Sequence, residues 1–132
     1  MSAFLSDLRM TMMRSSDGVP LQNKMGRQLY MLDAPFGYQS DIAGTDFVVP
    51  EGFVTDLSSI PRLPFIYVLL NGGGDMPAVI HDYLYNTGNL SRKIADAVLR
   101  EACIAIGLPR WKTEAIYLGV RVGGANNYAS NS

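Results

Sequence analysis

Hydrophobic and polar positions change their spacing about two-fifths of the way along the chain. From Arg27 to Asp56 the apolar residues fall in short clusters with weak alternation. Gln28-Leu29-Tyr30-Met31-Leu32 is one such cluster, ended by Asp33-Ala34-Pro35-Phe36-Gly37. Phe47-Val48-Val49 and Phe53-Val54-Thr55 flank Pro50-Glu51-Gly52, which has the composition of a tight turn. The pattern predicts a small antiparallel sheet of two to four strands over about 26–56. Before it the signal is ambiguous: Met10, Met12 and Met13 can line a strand, and Ser15-Ser16-Asp17-Gly18 has the composition of a turn.

Beyond Asp56 the period becomes helical. Ser58 or Ser59 can cap a helix with Pro61 in its first turn, running through Phe65-Ile66-Tyr67-Val68-Leu69-Leu70 and stopped by Asn71-Gly72-Gly73-Gly74. Asp75 can cap a second helix, with Pro77 in its first turn, that carries Ala78-Val79-Ile80-His81-Asp82-Tyr83-Leu84-Tyr85 to about Asn86. After a turn at Thr87-Gly88-Asn89, Ser91 caps a third. Its stripe of Ala95, Val98, Leu99, Ala102 and Ile106 has a 3.6-residue period and closes at Gly107. Pro109-Arg110-Trp111 opens a last helix with Ala115, Ile116, Leu118, Gly119 and Val122 as its predicted core face, Trp111 being either a core residue or part of a weak phosphate-facing Arg110-Trp111-Lys112 patch. The expected fold is α+β: a small N-terminal sheet, then three to four helices over about 59–124, in one domain spanning 1–132. The tail 125–132 is polar and is expected to fray or to be ordered by a partner.

Composition narrows the function classes. With 132 residues, 48% hydrophobic and 17% charged, the chain can build a core without staples. A net charge of −1 and no Lys/Arg run favour neither nucleic acid nor an anionic membrane. The N-terminus lacks the pattern of a secretory signal. No stretch approaches the roughly 18 apolar residues of a membrane span. The single cysteine, Cys103, excludes an intrachain disulfide and, lying in an apolar helical pattern, is expected to be a buried inert thiol.

His81 is the only histidine. The short turn after its helix makes the helix bearing Asp96 an antiparallel neighbour. His81 stands about as far from the end of its helix as Asp96 from the start of the next. At roughly 1.5 Å per residue the two are level, so an imidazole–carboxylate bond is feasible. Such a bond fixes the tautomer and makes the other ring nitrogen more basic, as a general base requires. Asp82 points about 100° away around the helix and is available to a cation, and Asp56 offers a second carboxylate. Calcium takes six to eight oxygens, so these two alone are not a site. A plainer reading stands beside this one. A lone histidine on an apolar helix suits a hydrogen-bonded core residue, Asp96 with Arg92 four residues before it suits an exposed helix pair, and Asp56 suits a cap. One His and one Cys give no zinc spacing, and Gly72-Gly73-Gly74 lacks the residues of a phosphate loop.

Two resemblances add to these readings. Gly52-Phe53-Val54-Thr55-Asp56-Leu57-Ser58-Ser59-Ile60-Pro61-Arg62, His81-Asp82-Tyr83-Leu84-Tyr85, and Arg92 with Ala95-Asp96 occur in an order that resembles a family of small proteins of tailed bacteriophages and prophages. That resemblance spans roughly residues 45–125. It implies a phage-encoded protein and brings no established activity; the small size, near-neutral charge and polar Gly/Asn/Ser tail suit a protein docked on other virion proteins, expected on the tail and made in the host cytoplasm. More distantly, His81-Asp82-Tyr83-Leu84-Tyr85 followed by an antiparallel helix with Asp is similar to the His-Asp-x-x-Tyr helix of secreted phospholipase A2 enzymes. This second resemblance implies His81 as general base, Asp96 orienting it, Tyr85 bracing the pair, Asp82 and Asp56 as ligands of Ca2+, and phospholipid as substrate. The chain departs from those enzymes in having no disulfides, no clear glycine-rich calcium loop and an N-terminal sheet. The expectation is a virion accessory protein with a candidate ester-hydrolase site; the alternative is a purely structural tail protein whose motifs serve the fold.

Overall fold

The computed structural model describes residues 2–57 and 74–123. The helix expected over 59–70, its caps at Ser58 and Ser59, its stop at 71–73 and the tail 125–132 lie outside the described residues. Within them an N-terminal β region precedes three helices, the expected α+β arrangement.

The β region consists of two three-stranded antiparallel sheets. Strands β1 (Ala3–Phe4), β4 (Phe36–Ser40) and β5 (Thr45–Val49) form one, in the order β1-β4-β5. Strands β2 (Met10–Met12), β3 (Tyr30–Leu32) and β6 (Val54–Thr55) form the other, in the order β2-β3-β6. The Met10 and Met12 strand is therefore present. The turn at Pro50-Glu51-Gly52 is present as well, with Gly52 at φ +87°. It is not a hairpin, however: β5 pairs with β4, while β6 crosses to the other sheet and pairs with β3.

The true hairpin is β4–β5, in register from Phe36↔Val49 to Ser40↔Thr45. The stretch expected only to end a strand thus starts one. Phe36, Tyr38 and Ser40 alternate onto the buried face, which a proline before the strand does not prevent.

Helix α1 (Asp75–Thr87) starts at Asp75 itself, whose Oδ1 accepts from the Met76 N–H at 3.0 Å, so Asp75 lies inside the first turn and not at the cap. A carboxylate there suits the positive end of the helix. Gly88 ends α1 at φ +65°, a left-handed conformation that costs glycine little, and its N–H bonds Leu84 O. Helix α2 (Arg92–Ala105) is capped as expected: Ser91 Oγ accepts from the Ile94 N–H at 3.2 Å. Helix α3 (Arg110–Gly123) follows a turn at 106–109.

Helix α2 lies between its neighbours and has two apolar faces. Ala95, Val98 and Ala102 join Ala78, Val79, Ile80 and Leu84 of α1, and Leu32, Phe36, Tyr38 and Val49 of the sheets, in the main core. Leu99 and Cys103 form a second cluster with Leu108 and with Ile116 and Val120 of α3. Burial pushes the Cys103 thiol up to about 12, so it is an inert core residue at neutral pH. Helix α3 uses its expected face only in part: Ile116 is buried as expected. Thr113, Ile116 and Val120 turn inward, whereas Leu118 and Val122 are 59% and 86% exposed. Trp111 is likewise 57% exposed, with Lys112 beside its ring, and is not a core tryptophan.

Glu101 ties α2 to the first sheet. Its Oε1 accepts from the Tyr38 hydroxyl at 2.8 Å and Ser40 Oγ at 2.7 Å, and its Oε2 from the Ile42 N–H at 2.9 Å. Among the described residues no helix is long and apolar enough to cross a membrane.

Candidate functional site

The helix pair brings together three of the residues singled out in the sequence. Nε2 of His81 lies 2.6 Å from Oδ1 of Asp96, and the Tyr85 hydroxyl donates to that same oxygen at 2.5 Å. Their placement follows from helix geometry. His81 and Tyr85 are four residues apart on one face of α1, and Asp96 is opposite them because the turn at 88–91 sets α2 alongside. His81 is 1% exposed and Asp96 is completely buried.

The other carboxylate oxygen meets a residue that spacing did not reveal. Nη1 of Arg121, in the last turn of α3, donates to Asp96 Oδ2 at 2.7 Å. Arg92, expected as the other half of an exposed ion pair, plays a different part. Its Nε is 4.0 Å from Oδ2, and its Nη2 donates to the carbonyls of Val120 at 2.8 Å and Arg121 at 2.6 Å. Arg92 thus satisfies carbonyls at the C-terminal end of α3. One signal for Arg121 was available: a carboxylate in a buried helix seam needs a cationic partner. The sequence does not say which of the cations supplies it.

These contacts set the protonation states. Burial pulls the His81 imidazole below its ordinary value, and the attraction of Asp96 only partly offsets this, so the ring is neutral near pH 7. Asp96 is held below the usual carboxylate range. Burial opposes its ionisation, but the bonds from His81, Tyr85 and Arg121 outweigh that. Tyr85 is pushed upward by burial and by the carboxylate it faces, so it remains a hydroxyl donor. A neutral imidazole beside an ionised carboxylate donates its Nε2–H to it. Nδ1 is then the nitrogen left to act as acceptor.

Asp82 and Asp56 stand apart from this cluster and near β6. Asp82 Oδ2 accepts from the Thr55 hydroxyl at 2.6 Å, and that hydroxyl accepts from the Leu57 N–H at 3.0 Å. Asp56 Oδ2 accepts from Asn23 Nδ2 at 2.5 Å. Among the described residues no three His, Cys, Asp or Glu side chains gather as metal ligands. Two carboxylates that already accept hydrogen bonds from a hydroxyl and an amide fall well short of the oxygen shell calcium needs. The described residues do not fit a calcium site, and no chemical step is assigned to one.

Fold and site together define an α+β protein with a buried His–Asp–Tyr cluster, countercharged by arginine, at a helix–helix seam. The chain belongs to the family described as protein of unknown function (DUF1353), whose model matches residues 30–120. No curated protein and no solved structure matches the chain.

Proposed function

We propose that this protein is an accessory component of a bacteriophage particle, on its tail, and carries an ester-hydrolysing His-Asp site of the phospholipase A2 kind. The phage part rests on the order of the three sequence stretches around Asp56, His81 and Asp96. One observation supports the hydrolase part: Nε2 of His81 is held 2.6 Å from a carboxylate that also accepts from Tyr85. That arrangement presents Nδ1 as a base.

In the proposed reaction Nδ1 takes a proton from water as the water oxygen bonds to the ester carbonyl carbon. The tetrahedral intermediate then collapses, the ester C–O bond breaks, and the leaving alkoxide takes the proton from Nδ1. Asp96 stays ionised and supports the transient imidazolium, while Tyr85 keeps the carboxylate in place. Because His81 is 1% exposed, substrate reaches it only when the atoms over the ring move aside.

A second reading is favoured by that same burial. The cluster ties three helices together with buried, mutually satisfied polar groups, which suits a structural protein docked on other virion proteins.

Hydrolysis of phospholipid vesicles and of a soluble short-chain ester separates the two readings, measured with calcium and with chelator for wild type, His81→Gln and Asp96→Asn. The hydrolase reading expects wild-type turnover that falls by about 10²-fold or more in His81→Gln. Equal inactivity of three folded proteins on both substrates would leave the structural reading. Mass spectrometry of purified particles tests the virion assignment, which an absence from the particle would end.

A further inference from the structure

We propose that Arg121 is a positioning residue: by holding Asp96 as a carboxylate from α3, it keeps Nδ1 of His81 free of a proton. This inference takes its functional meaning from the base role proposed for His81, though its test needs no turnover.

The two oxygens of Asp96 have separate duties. Oδ1 takes the hydrogen bonds from His81 and Tyr85 on α1, and Oδ2 takes the one from Arg121 on α3. Asp96 has no solvent exposure, so water cannot share its charge. A buried carboxylate without a cation is relieved by acquiring a proton. Guanidinium keeps its proton at any ordinary pH, so Arg121 supplies a charge that pH does not remove.

Arg92 stands farther off: its Nε is 4.0 Å from Oδ2, an ion pair without a hydrogen bond, and its Nη2 is engaged by the carbonyls of Val120 and Arg121. Those bonds instead fix the turn of α3 from which Arg121 reaches Asp96. Tyr85 and the two arginines are thus the charged or titratable groups that α1, α2 and α3 direct at the His81–Asp96 pair.

Without Arg121 only Arg92, 4.0 Å away and not hydrogen-bonded to it, offsets the buried charge, and a proton from solvent is expected on the His81–Asp96 pair. Where Asp96 becomes a carboxylic acid that donates to Nε2, the neutral ring carries its proton on Nδ1. Where the imidazole becomes imidazolium, both nitrogens are protonated. Either puts a proton on Nδ1, the atom a base must keep bare; an acid protonated on Oδ2 instead would leave Nδ1 bare, and that result counts against the role. A merely structural arginine would lower stability without moving that proton.

The sole histidine makes this directly readable. Ring 15N NMR near neutral pH on labelled wild type, Arg121→Gln and Arg121→Lys gives one pair of imidazole nitrogens for each protein. The expected spectra are a protonated Nε2 and bare Nδ1 in wild type, loss of the bare Nδ1 resonance in Arg121→Gln, and its return in Arg121→Lys. A protonated Nδ1 in wild type overturns the proposal, as does a folded Arg121→Gln protein that keeps Nδ1 bare. Should Arg121→Gln not fold, wild type and Arg121→Lys decide: bare Nδ1 in both supports the role, and a proton on Nδ1 in either ends it. The expected spectra together with an inactive wild type would uphold Arg121 while removing the hydrolase reading.

Discussion

Tyr85 and His81 converge on a single oxygen. They stand one turn apart on α1 with ring centroids 4.1 Å apart, and both reach Oδ1 of Asp96 across the seam to α2. The carboxylate is thereby held in one orientation from the α1 side, while Arg121 holds it from the other.

Replacing Tyr85 with Phe removes the hydroxyl and leaves the ring packing. A hydrogen bond to a charged, buried acceptor contributes about 1.5–3 kcal/mol. For a domain of this size the expected fall in Tm is about 5–10 °C, read by circular dichroism. An unchanged Tm would mean that the hydroxyl adds nothing to the hold on Asp96.

Thr55 links the carboxyl side of α1 to the strand region. Its hydroxyl donates to Asp82 Oδ2 and accepts from the Leu57 N–H. Leu57 has φ +55°, a left-handed conformation that costs a residue with a side chain roughly 1–2 kcal/mol. The bond from Leu57 to Thr55 helps to hold the chain in that conformation. Thr55→Val keeps the shape of the side chain but loses both bonds, with an expected cost of about 1–3 kcal/mol. Thr55→Ser keeps the hydroxyl and loses only a buried methyl, about 0.8 kcal/mol. Urea unfolding of the two variants should place Ser nearer wild type than Val; the reverse order would show that packing and not the hydroxyl matters at this position.

The α1–α2 pair was legible in the sequence because its determinants are local. Ser91 caps, the stripe from Ala95 to Ala102 repeats with the helical period, and a short turn places His81 level with Asp96. Arg121 was not legible, since it meets Asp96 from 25 residues away through the packing of α3, which no local rule fixes. The inward face of α3 was legible at Ile116 and misassigned elsewhere for a related reason. Hydrophobicity alone selects Leu118 and Val122, yet the seam with α2 takes Thr113, Ile116 and Val120. The hairpin Phe36–Val49 was hidden because Pro35 and Gly37 look like punctuation, although Phe36, Tyr38 and Ser40 already alternate. β6 changes sheets after the turn at Gly52, and strand pairing of that kind depends on partners distant in sequence.

The pH dependence of stability follows from three of the buried or half-buried groups, and all three act in the same direction. His81 is depressed in the folded protein from its ordinary value of 6.5, chiefly by burial. As pH falls through 6.5 the unfolded chain therefore binds a proton that the folded chain refuses, and stability drops with it. Asp96 and Glu101 are both held below their ordinary values of 3.8 and 4.5; burial opposes ionisation, and hydrogen bonds, from His81 on Asp96 and from Ser40 on Glu101, outweigh it. Their contributions are complete above those ordinary values and are lost as pH falls through the lower folded ones. Urea midpoints are thus expected to decline in two stages, the first beginning near pH 6.5 and the second below about pH 4.5. His81→Gln lowers the midpoint throughout, because it leaves Asp96 with a poorer partner. What identifies the first stage is its slope: between pH 7.5 and 5.5 the variant's midpoint should be nearly flat while that of wild type falls. A wild-type midpoint that rises over this interval would mean that the folded protein binds the proton more tightly than the unfolded chain, with Asp96 outweighing burial at His81.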